Sequence, residues 1–359
     1  MKLRHLGLVC ACVRLISGHR LEKPAPLPLA TRIVTQFPNP TWIENIAVRS
    51  NGDLLITELL PKPILYTIVN PASSAPQVRL LRDFSAEEPP VEGLTGIAEV
   101  SHDVFVFVGG NTTNLSFHAW SVNFTSAAHN PSTTTGPIIK KIAELKDVKL
   151  PNGVATLPGS PSSVLIADSL AGLAWRLDIL TGKSIVAAQI LEMGAPSNET
   201  DPSKRVGING IKVHGGFLYF SNSNSRSIYR VKIRKDGTRD PSAHAQLVGR
   251  LPENVSFLDD FAVTSHGGKG ATVFGTTSSD NRLWAFVQGK SPVVVAGELD
   301  KLTLAGSTAA SFGRGKRDRD ILYVVTSGGV GKPLNGSLTE GGKVAAVDLR
   351  TFCPSIMIG

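Results

Sequence analysis

Ile208-Asn209-Gly210-Ile211-Lys212-Val213 and Leu258-Asp259-Asp260-Phe261-Ala262-Val263 share one pattern: an apolar residue, a polar slot, then a short apolar run. Four further segments fit it: Ile43–Val48 (IENIAV), Leu94–Val100 (LTGIAEV), Pro151–Leu157 (PNGVATL) and Ala305–Ser311 (AGSTAAS). Aligned on Ala47, Ala98, Ala155, Lys212, Ala262 and Ala309, they recur at intervals of 51, 57, 57, 50 and 47 residues. Three positions before each anchor stand Glu44, Thr95, Asn152, Asn209, Asp259 and Gly306. A repeat of this length marks a propeller or a solenoid. A small or polar residue at one phase of every repeat predicts a ring of side chains around a single axis.

Each segment is followed by a second apolar run, such as Leu54-Leu55-Ile56, Val164-Leu165-Ile166 or Phe217-Leu218-Tyr219-Phe220. These runs are short, β-branched or aromatic, and bounded by turn residues, which is how buried strands read. Third strands follow at Ala174–Asp178, Ser227–Val231 and Arg282–Phe286, and fourth strands close several repeats, as at Val293–Gly297. No segment carries a sustained 3.6-residue apolar face. The expected fold is therefore all-β: a six-bladed β-propeller of four-stranded blades. An early strand around Thr31–Phe37 is expected to close the ring beside Lys343–Leu349.

Even repeat spacing argues that residues 21–359 form one propeller domain. The chain has 359 residues, 42% hydrophobic and 18% charged, with no run of 18 apolar residues, so no membrane span is expected. The N-terminus reads differently. Lys2 and Arg4 precede the apolar Leu6–Val13, and small residues Ser17-Gly18 follow, which is the layout of a secretory signal peptide over residues 1–20. Arg14 interrupts that layout, and a basic leader is the alternative. Four cations in the first twenty residues account for half of the net +8. Elsewhere no basic stripe is interleaved with aromatics, so nucleic acid is not an expected partner.

Cys10 and Cys12 fall in the leader, leaving Cys353 as an expected passive terminal thiol with no disulfide framework. Six sequons, at Asn111, Asn114, Asn123, Asn198, Asn254 and Asn335, agree with a secreted glycoprotein.

In a propeller the innermost strand of every blade lines the channel, so residues of one repeat phase converge. Glu44, Asn152, Asn209 and Asp259 would supply carboxylate and amide oxygens, hard donors suited to Ca2+ or another divalent cation. A cation there would act as a Lewis acid on a carbonyl oxygen. Asn and Asp before a strand are also common turn residues. Either Asp259 or its neighbour Asp260 could face the axis, the other capping a turn. Trp42, two residues before Glu44, is placed to stack on a flat ligand or to pack between blades. Asp168 and Asn222 end second strands and read as turn residues. Ser327–Lys332 reads as a glycine-rich turn: Thr326 and Pro333 break a phosphate-loop pattern. No HExxH, G-x-S-x-G or cysteine pair outside the leader is present, and the histidines occupy non-equivalent phases.

Trp42–Val48, Pro151-Asn152-Gly153, Ile208-Asn209-Gly210 and Leu258-Asp259-Asp260 resemble the senescence-marker-protein/gluconolactonase superfamily of six-bladed propellers. That resemblance implies a divalent cation held by Glu44, Asn209 and Asp259, with Asn152 near the substrate and Asp259 as base. The family's Pro-Asp-Gly stands here as Leu258-Asp259-Asp260, which blurs the base. Trp42–Val48, Leu165–Ser169, Gly207–Lys212 and Leu304–Thr308 look more like a secreted fungal branch met in secondary metabolism. Some members of that branch are hetero-Diels–Alderases joining a tropolone-derived quinone methide to a humulene-type terpene.

The leading expectation is thus a pericyclase of fungal meroterpenoid biosynthesis that needs no cofactor. Its partners would be small apolar polyketide and terpene substrates. Glu44, Asp259 and Asp260 would be the catalytic residues, and Trp42, Thr95, Asn152 and Ser307 the substrate-binding ones. A cation-dependent lactonase is the second reading. A non-catalytic propeller that binds a protein partner is the third.

Overall fold

The computed structural model describes residues 25–125, 136–195, 205–264, 270–353 and 357. The expected leader and the Asn198 sequon lie outside these residues. Among them the chain forms six four-stranded antiparallel sheets. The first strand in sequence, β1 (Thr31–Gln36), belongs to the last sheet. Blade 1 is β2 (Trp42–Val48), β3 (Leu54–Leu60), β4 (Ile64–Val69) and β5 (Gln77–Asp83). Blade 2 is β6 (Gly93–Ser101), β7 (Val104–Asn111), β8 (Ser116–Asn123) and β9 (Ile138–Glu144). Blade 3 is β10 (Pro151–Thr156), β11 (Ser163–Asp168), β12 (Leu173–Asp178) and β13 (Ser184–Gln189). Blade 4 is β14 (Ile208–His214), β15 (Phe217–Asn222), β16 (Ser227–Lys232) and β17 (Gln246–Arg250). Blade 5 is β18 (Leu258–Thr264), β19 (Thr272–Thr277), β20 (Arg282–Val287) and β21 (Val293–Gly297). Blade 6 is β22 (Ser307–Phe312), β23 (Ile321–Thr326), β24 (Lys343–Asp348) and the returning β1.

The architecture is the six-bladed propeller that the repeat predicts. Ring closure follows the expected route, with Thr31 opposite Val347 and Gln36 opposite Lys343. One 3-10 turn, Leu191–Met193, is the helical element among the described residues. No described helix is long and apolar enough to cross a membrane.

The core lies between blades rather than within one. Second strands such as β11 and β19 are buried along their whole length, whereas the outermost strand β5 is largely exposed. Each of six apolar clusters joins two neighbouring blades. Val106 and Val108 meet Val154 and Val164 between blades 2 and 3. Ile43 and Ile56 meet Tyr323 and Val325 where blade 6 meets blade 1. Burying both faces of every sheet makes closure cooperative, because one missing interface would expose two apolar faces.

Hydroxyl groups clasp the inner strands to one another. Thr57 Oγ1 donates to Thr95 O at 2.6 Å, and Thr95 Oγ1 to Pro151 O at 3.0 Å. Ser223 Oγ donates to Leu258 O at 2.7 Å, Thr276 Oγ1 to Thr308 O at 2.8 Å and Thr308 Oγ1 to Ile43 O at 2.7 Å. Inner strands in a ring diverge from sheet geometry, so side-chain hydroxyls satisfy carbonyls that a neighbouring strand cannot.

One expectation is corrected. Cys353 is disulfide-bonded rather than a passive thiol. Disulfide formation depends on the approach of two Cβ atoms, which cysteine spacing does not reveal. Among the sequon asparagines, Asn111 is buried, its Oδ1 accepting the Thr113 and Asn114 N–H groups at 2.8 and 3.0 Å. Asn114, Asn254 and Asn335 are exposed and Asn123 is half-buried.

Candidate functional site

Five inner strands break register at the polar slot, and that of blade 6 does so two residues beyond Gly306, at Thr308. The shifts fall at Ile43/Asn45, Leu94/Ile97, Pro151/Val154, Ile208/Ile211, Leu258/Phe261 and Ser307/Ala309. A β-bulge adds a residue and suspends the strict alternation of faces. Two successive side chains are thereby brought inside, as at Glu44-Asn45 and Asp259-Asp260. All four are buried. The expectation that one aspartate would cap a turn is therefore not met.

Where the second bulge residue is Gly, the neighbouring blade fills the space of a side chain. A Cβ at Gly210 would lie 2.6 Å from Asp260 Cα, and one at Gly153 would lie 2.8 Å from Asn209 O. Inner strands of blades 3, 4 and 5 thus touch backbone to backbone. This close approach crowds Asn209, Asp259 and Asp260 together.

Glu44 accepts a hydrogen bond from Trp42 Nε1 at 2.6 Å. The half-buried Trp42 ring packs over Gly331, where a Cβ would lie 2.9 Å from its Cη2. The glycine-rich Ser327–Lys332 turn thus provides the seat for the indole. Burial pushes the Glu44 carboxyl up to about 7; the Trp42 bond opposes the rise and the charge of Asp260 adds to it. Asp259 is also held well above the usual carboxylate range, by burial first and then by the charges of Glu44 and Asp260, with an Asn209 hydrogen bond opposing. Burial and crowded like charge thus both favour a proton on this pair.

Asp260 has a different environment. Lys212 Nζ donates to its Oδ1 at 2.6 Å and its Oδ2 at 2.8 Å. Asn45 Nδ2 reaches Oδ2 at 3.0 Å from blade 1, skipping blade 6, and the Phe261 N–H meets Oδ1 at 2.7 Å. Lys212 is the single departure from alanine among the six anchor positions. That was the signal available for it in the sequence; for Asn45, one residue past the slot, there was none without the bulge.

The remaining expected residues divide. Asn209 donates to Ser223 Oγ at 3.0 Å, while its buried Oδ1 accepts no hydrogen bond. Asn152 is half-buried in the ring. Thr95 is committed to Pro151 O. Ser307 is fully buried, accepting from the Thr277 N–H at 3.0 Å, which makes it a blade-to-blade contact rather than a group presented to a ligand. Gly306 adopts φ +61° and donates to Asn281 Oδ1. Asp168 accepts the Lys149, Leu150 and Ala171 N–H groups, and Asn222 donates to Glu192 O and Gly194 O, so both serve turns.

As a candidate cation site, Glu44, Asn209 and Asp259 have suitable chemistry: two carboxyls whose repulsion a cation would relieve, and an amide oxygen lacking a partner. No group of three or more His, Cys, Asp or Glu residues is arranged for a metal among the described residues, so such a site depends on the Asn209 amide.

No family model matches the chain. Two known proteins are similar over most of it. "Putative hetero-Diels-Alderase asR5" of Sarocladium schorii is 32% identical over 336 residues, covering 84% of this chain and 79% of that protein. A "Putative hetero-Diels-Alderase" of a Phoma species is 32% identical over 327 residues, covering 85% and 90%. Among solved structures, the calcium-binding protein regucalcin from Agrobacterium tumefaciens superposes with a TM-score of 0.58 at 16% identity, over 89% of this chain and 94% of that one. A luciferin-regenerating enzyme gives 0.58 at 12% identity, over 89% and 95%. A catalytically inactive virginiamycin B lyase from Staphylococcus aureus gives 0.53 at 12%, over 89% and 99%. At such identities these structures share the fold alone. The two fungal sequences carry more, and place this chain in the hetero-Diels-Alderase family of propellers.

Proposed function

We propose that the chain is a pericyclase of fungal natural-product biosynthesis. It would join a polyketide-derived, tropolone-type quinone methide to a terpene alkene at the channel mouth that carries Trp42 and Glu44. The observation that carries this reading is the Glu44–Asp259 pair, buried acids beside Trp42 whose burial favours the protonated form. A protonated carboxyl is a hydrogen-bond donor. Donation to the quinone-methide oxygen withdraws electron density from the diene and accelerates addition of an electron-rich alkene. The rest of the acceleration would come from holding both partners in one orientation. A concerted cycloaddition forms its two bonds without a nucleophile or a water molecule, in keeping with the lack of a nucleophile motif in the sequence. Before that step, the protonated carboxyl could give its proton to a departing hydroxyl group, which leaves as water, while the partner carboxylate takes the tropolonic O–H proton; this generates the quinone methide from an alcohol precursor and returns one proton to the pair. Asn152 and the face of Trp42 would orient the flat ring.

The partnerless Asn209 Oδ1 favours one addition to this reading, a divalent cation held by Glu44, Asn209 and Asp259. Such a cation would supply Lewis acidity toward the substrate oxygen in either a cycloaddition or a lactone hydrolysis. Passage through the secretory pathway is part of the proposal, with Asn114, Asn254 and Asn335 as the exposed sequons.

The test is to present the purified protein with an alcohol precursor of a tropolonic quinone methide and a humulene-type alkene, with and without chelator. A stereochemically single adduct supports the pericyclase. Hydrolysis of a lactone panel that chelator abolishes supports the lactonase instead.

A further inference from the structure

Beyond the acidic ring, on the side of the anchor residues, lies an open space. A cavity of about 360 Å3 opens at the mouth formed by the C-terminal ends of the inner strands. Its wall includes Ala47, Ala98, Ala155 and Ala262, with Val263 and Phe312 nearer the rim. The repeat explains the space: methyl groups at the anchor phase leave room at the axis. In blade 4 the anchor is Lys212. Its stem lies against this cavity, while its Nζ binds Asp260 from below, so the Lys212–Asp260–Asn45 chain divides the two ends of the channel.

We propose that this far mouth is a second ligand site, which takes an apolar carboxylic acid of medium size, its carboxylate received by Lys212. The volume falls within the range of small-molecule sites, about 300–1,000 Å3, and apolar side chains such as Ile97, Phe105 and Val154 line it beside polar ones. An ammonium has three N–H donors, and Asp260 takes two. The Lys212 side chain keeps 26% of its surface exposed although Asp260 keeps 2%, so the pair is open on the cavity side. At the rim the Arg314 guanidinium is fixed across three blades, donating to Val48 O at 3.0 Å and pairing with Glu99. The charged groups at this mouth form two ion pairs, Lys212 with Asp260 and Arg314 with Glu99. The third Lys212 N–H favours a head that accepts a charge-assisted hydrogen bond, which a carboxylate does more strongly than an alcohol and a quaternary ammonium not at all. The site stands independently of the reaction proposed for the opposite mouth.

Calorimetric titration of the full chain with decanoate, decanol and decyltrimethylammonium tests this. Decanoate should bind at one site, decanol about tenfold or more weakly, as loss of one charge-assisted contact implies, and the cationic amphiphile not measurably. Replacing Lys212→Met together with Asp260→Asn removes both charges at once, so no lone buried charge remains. This double variant should bind decanoate no better than decanol. Ser311→Trp, at a half-buried position of the rim, should block both ligands. Glu44→Gln should bind decanoate as the unaltered protein does, whatever it does to turnover. Equal binding of decanoate and decanol to the unaltered protein, no binding of either, a preference surviving in the double variant, or unchanged binding by Ser311→Trp would each overturn the proposal.

Discussion

Lys212 Nζ lies 2.6 Å from Asp260 Oδ1, joining the inner strand of blade 4 to that of blade 5 at the axis of the ring. The pair assigns the two adjacent aspartates different duties. Asp260 has a resident cation, whereas Asp259 meets the charges of Glu44 and Asp260 and hydrogen bonds from the Asn209 amide and the Asp260 N–H. The lysine thus leaves the Glu44–Asp259 pair as the one in which burial favours a proton.

Removing that lysine alone should be costly. Lys212→Met leaves Asp260 buried with Asn45 and a backbone N–H as partners, and breaking a buried pair from one side typically costs about 3–5 kcal/mol. Adding Asp260→Asn should restore much of the loss. Urea denaturation of the single and double variants measures both; an unchanged midpoint in the single variant would contradict the role of the pair.

Stability should depend on pH through Glu44. Its carboxyl is raised in the folded chain from 4.5 to about 7, so the fold prefers the protonated form. That contribution is complete below pH about 4.5 and is lost as pH rises through about 7. Across this interval Glu44→Gln should gain on the unaltered protein by roughly 3 kcal/mol, since a tenfold change in proton affinity corresponds to about 1.4 kcal/mol. The comparison is made by denaturation at acid and neutral pH, and parallel stability profiles would refute it.

The hydroxyl clasp at the ring seam should be measurable. Thr308 Oγ1 donates to Ile43 O and is also 3.2 Å from Val325 O. Thr308→Val keeps the shape and leaves those buried carbonyls short of a donor, costing about 1–3 kcal/mol. Thermal melting reads the effect, and no change would mean that water replaces the hydroxyl freely.

Gly210 should tolerate no side chain. An alanine Cβ there would lie 2.7 Å from Asp260 Cγ, against a main chain that cannot retreat without parting blades 4 and 5. Gly210→Ala should lower the melting temperature and disturb the acidic ring together. A variant of native stability and full turnover would contradict the close approach.

The repeat carried the fold because each blade needs the same apolar faces, and those faces recur in sequence. The slot residues Glu44, Asn209 and Asp259 were legible as a converging set for the same reason. The bulge was not legible: a strand read with strict alternation puts Asn45 and Asp260 on the opposite face from Glu44 and Asp259. The sequence marked Lys212 only as an odd anchor, since its partner is 48 residues away. Ser307 looked available because its commitment to Thr277 lies on another blade. The Cys353 bond was hidden likewise, by contacts that spacing does not encode.

The central claim is that the Glu44–Asp259 pair acts as a hydrogen-bond donor in a cycloaddition. Its most direct measurement is the rate and stereochemistry of adduct formation by Glu44→Gln and Glu44→Leu beside the unaltered protein, read by chiral chromatography. Glutamine keeps an N–H donor, so that variant should retain a stereochemically single adduct with a modest loss of rate. Leucine has no donor, and its rate should fall about 10²–10³-fold, the usual cost of one preorganised donor. Equal rates for all three proteins, or the adduct mixture of the spontaneous reaction from each, would contradict the account.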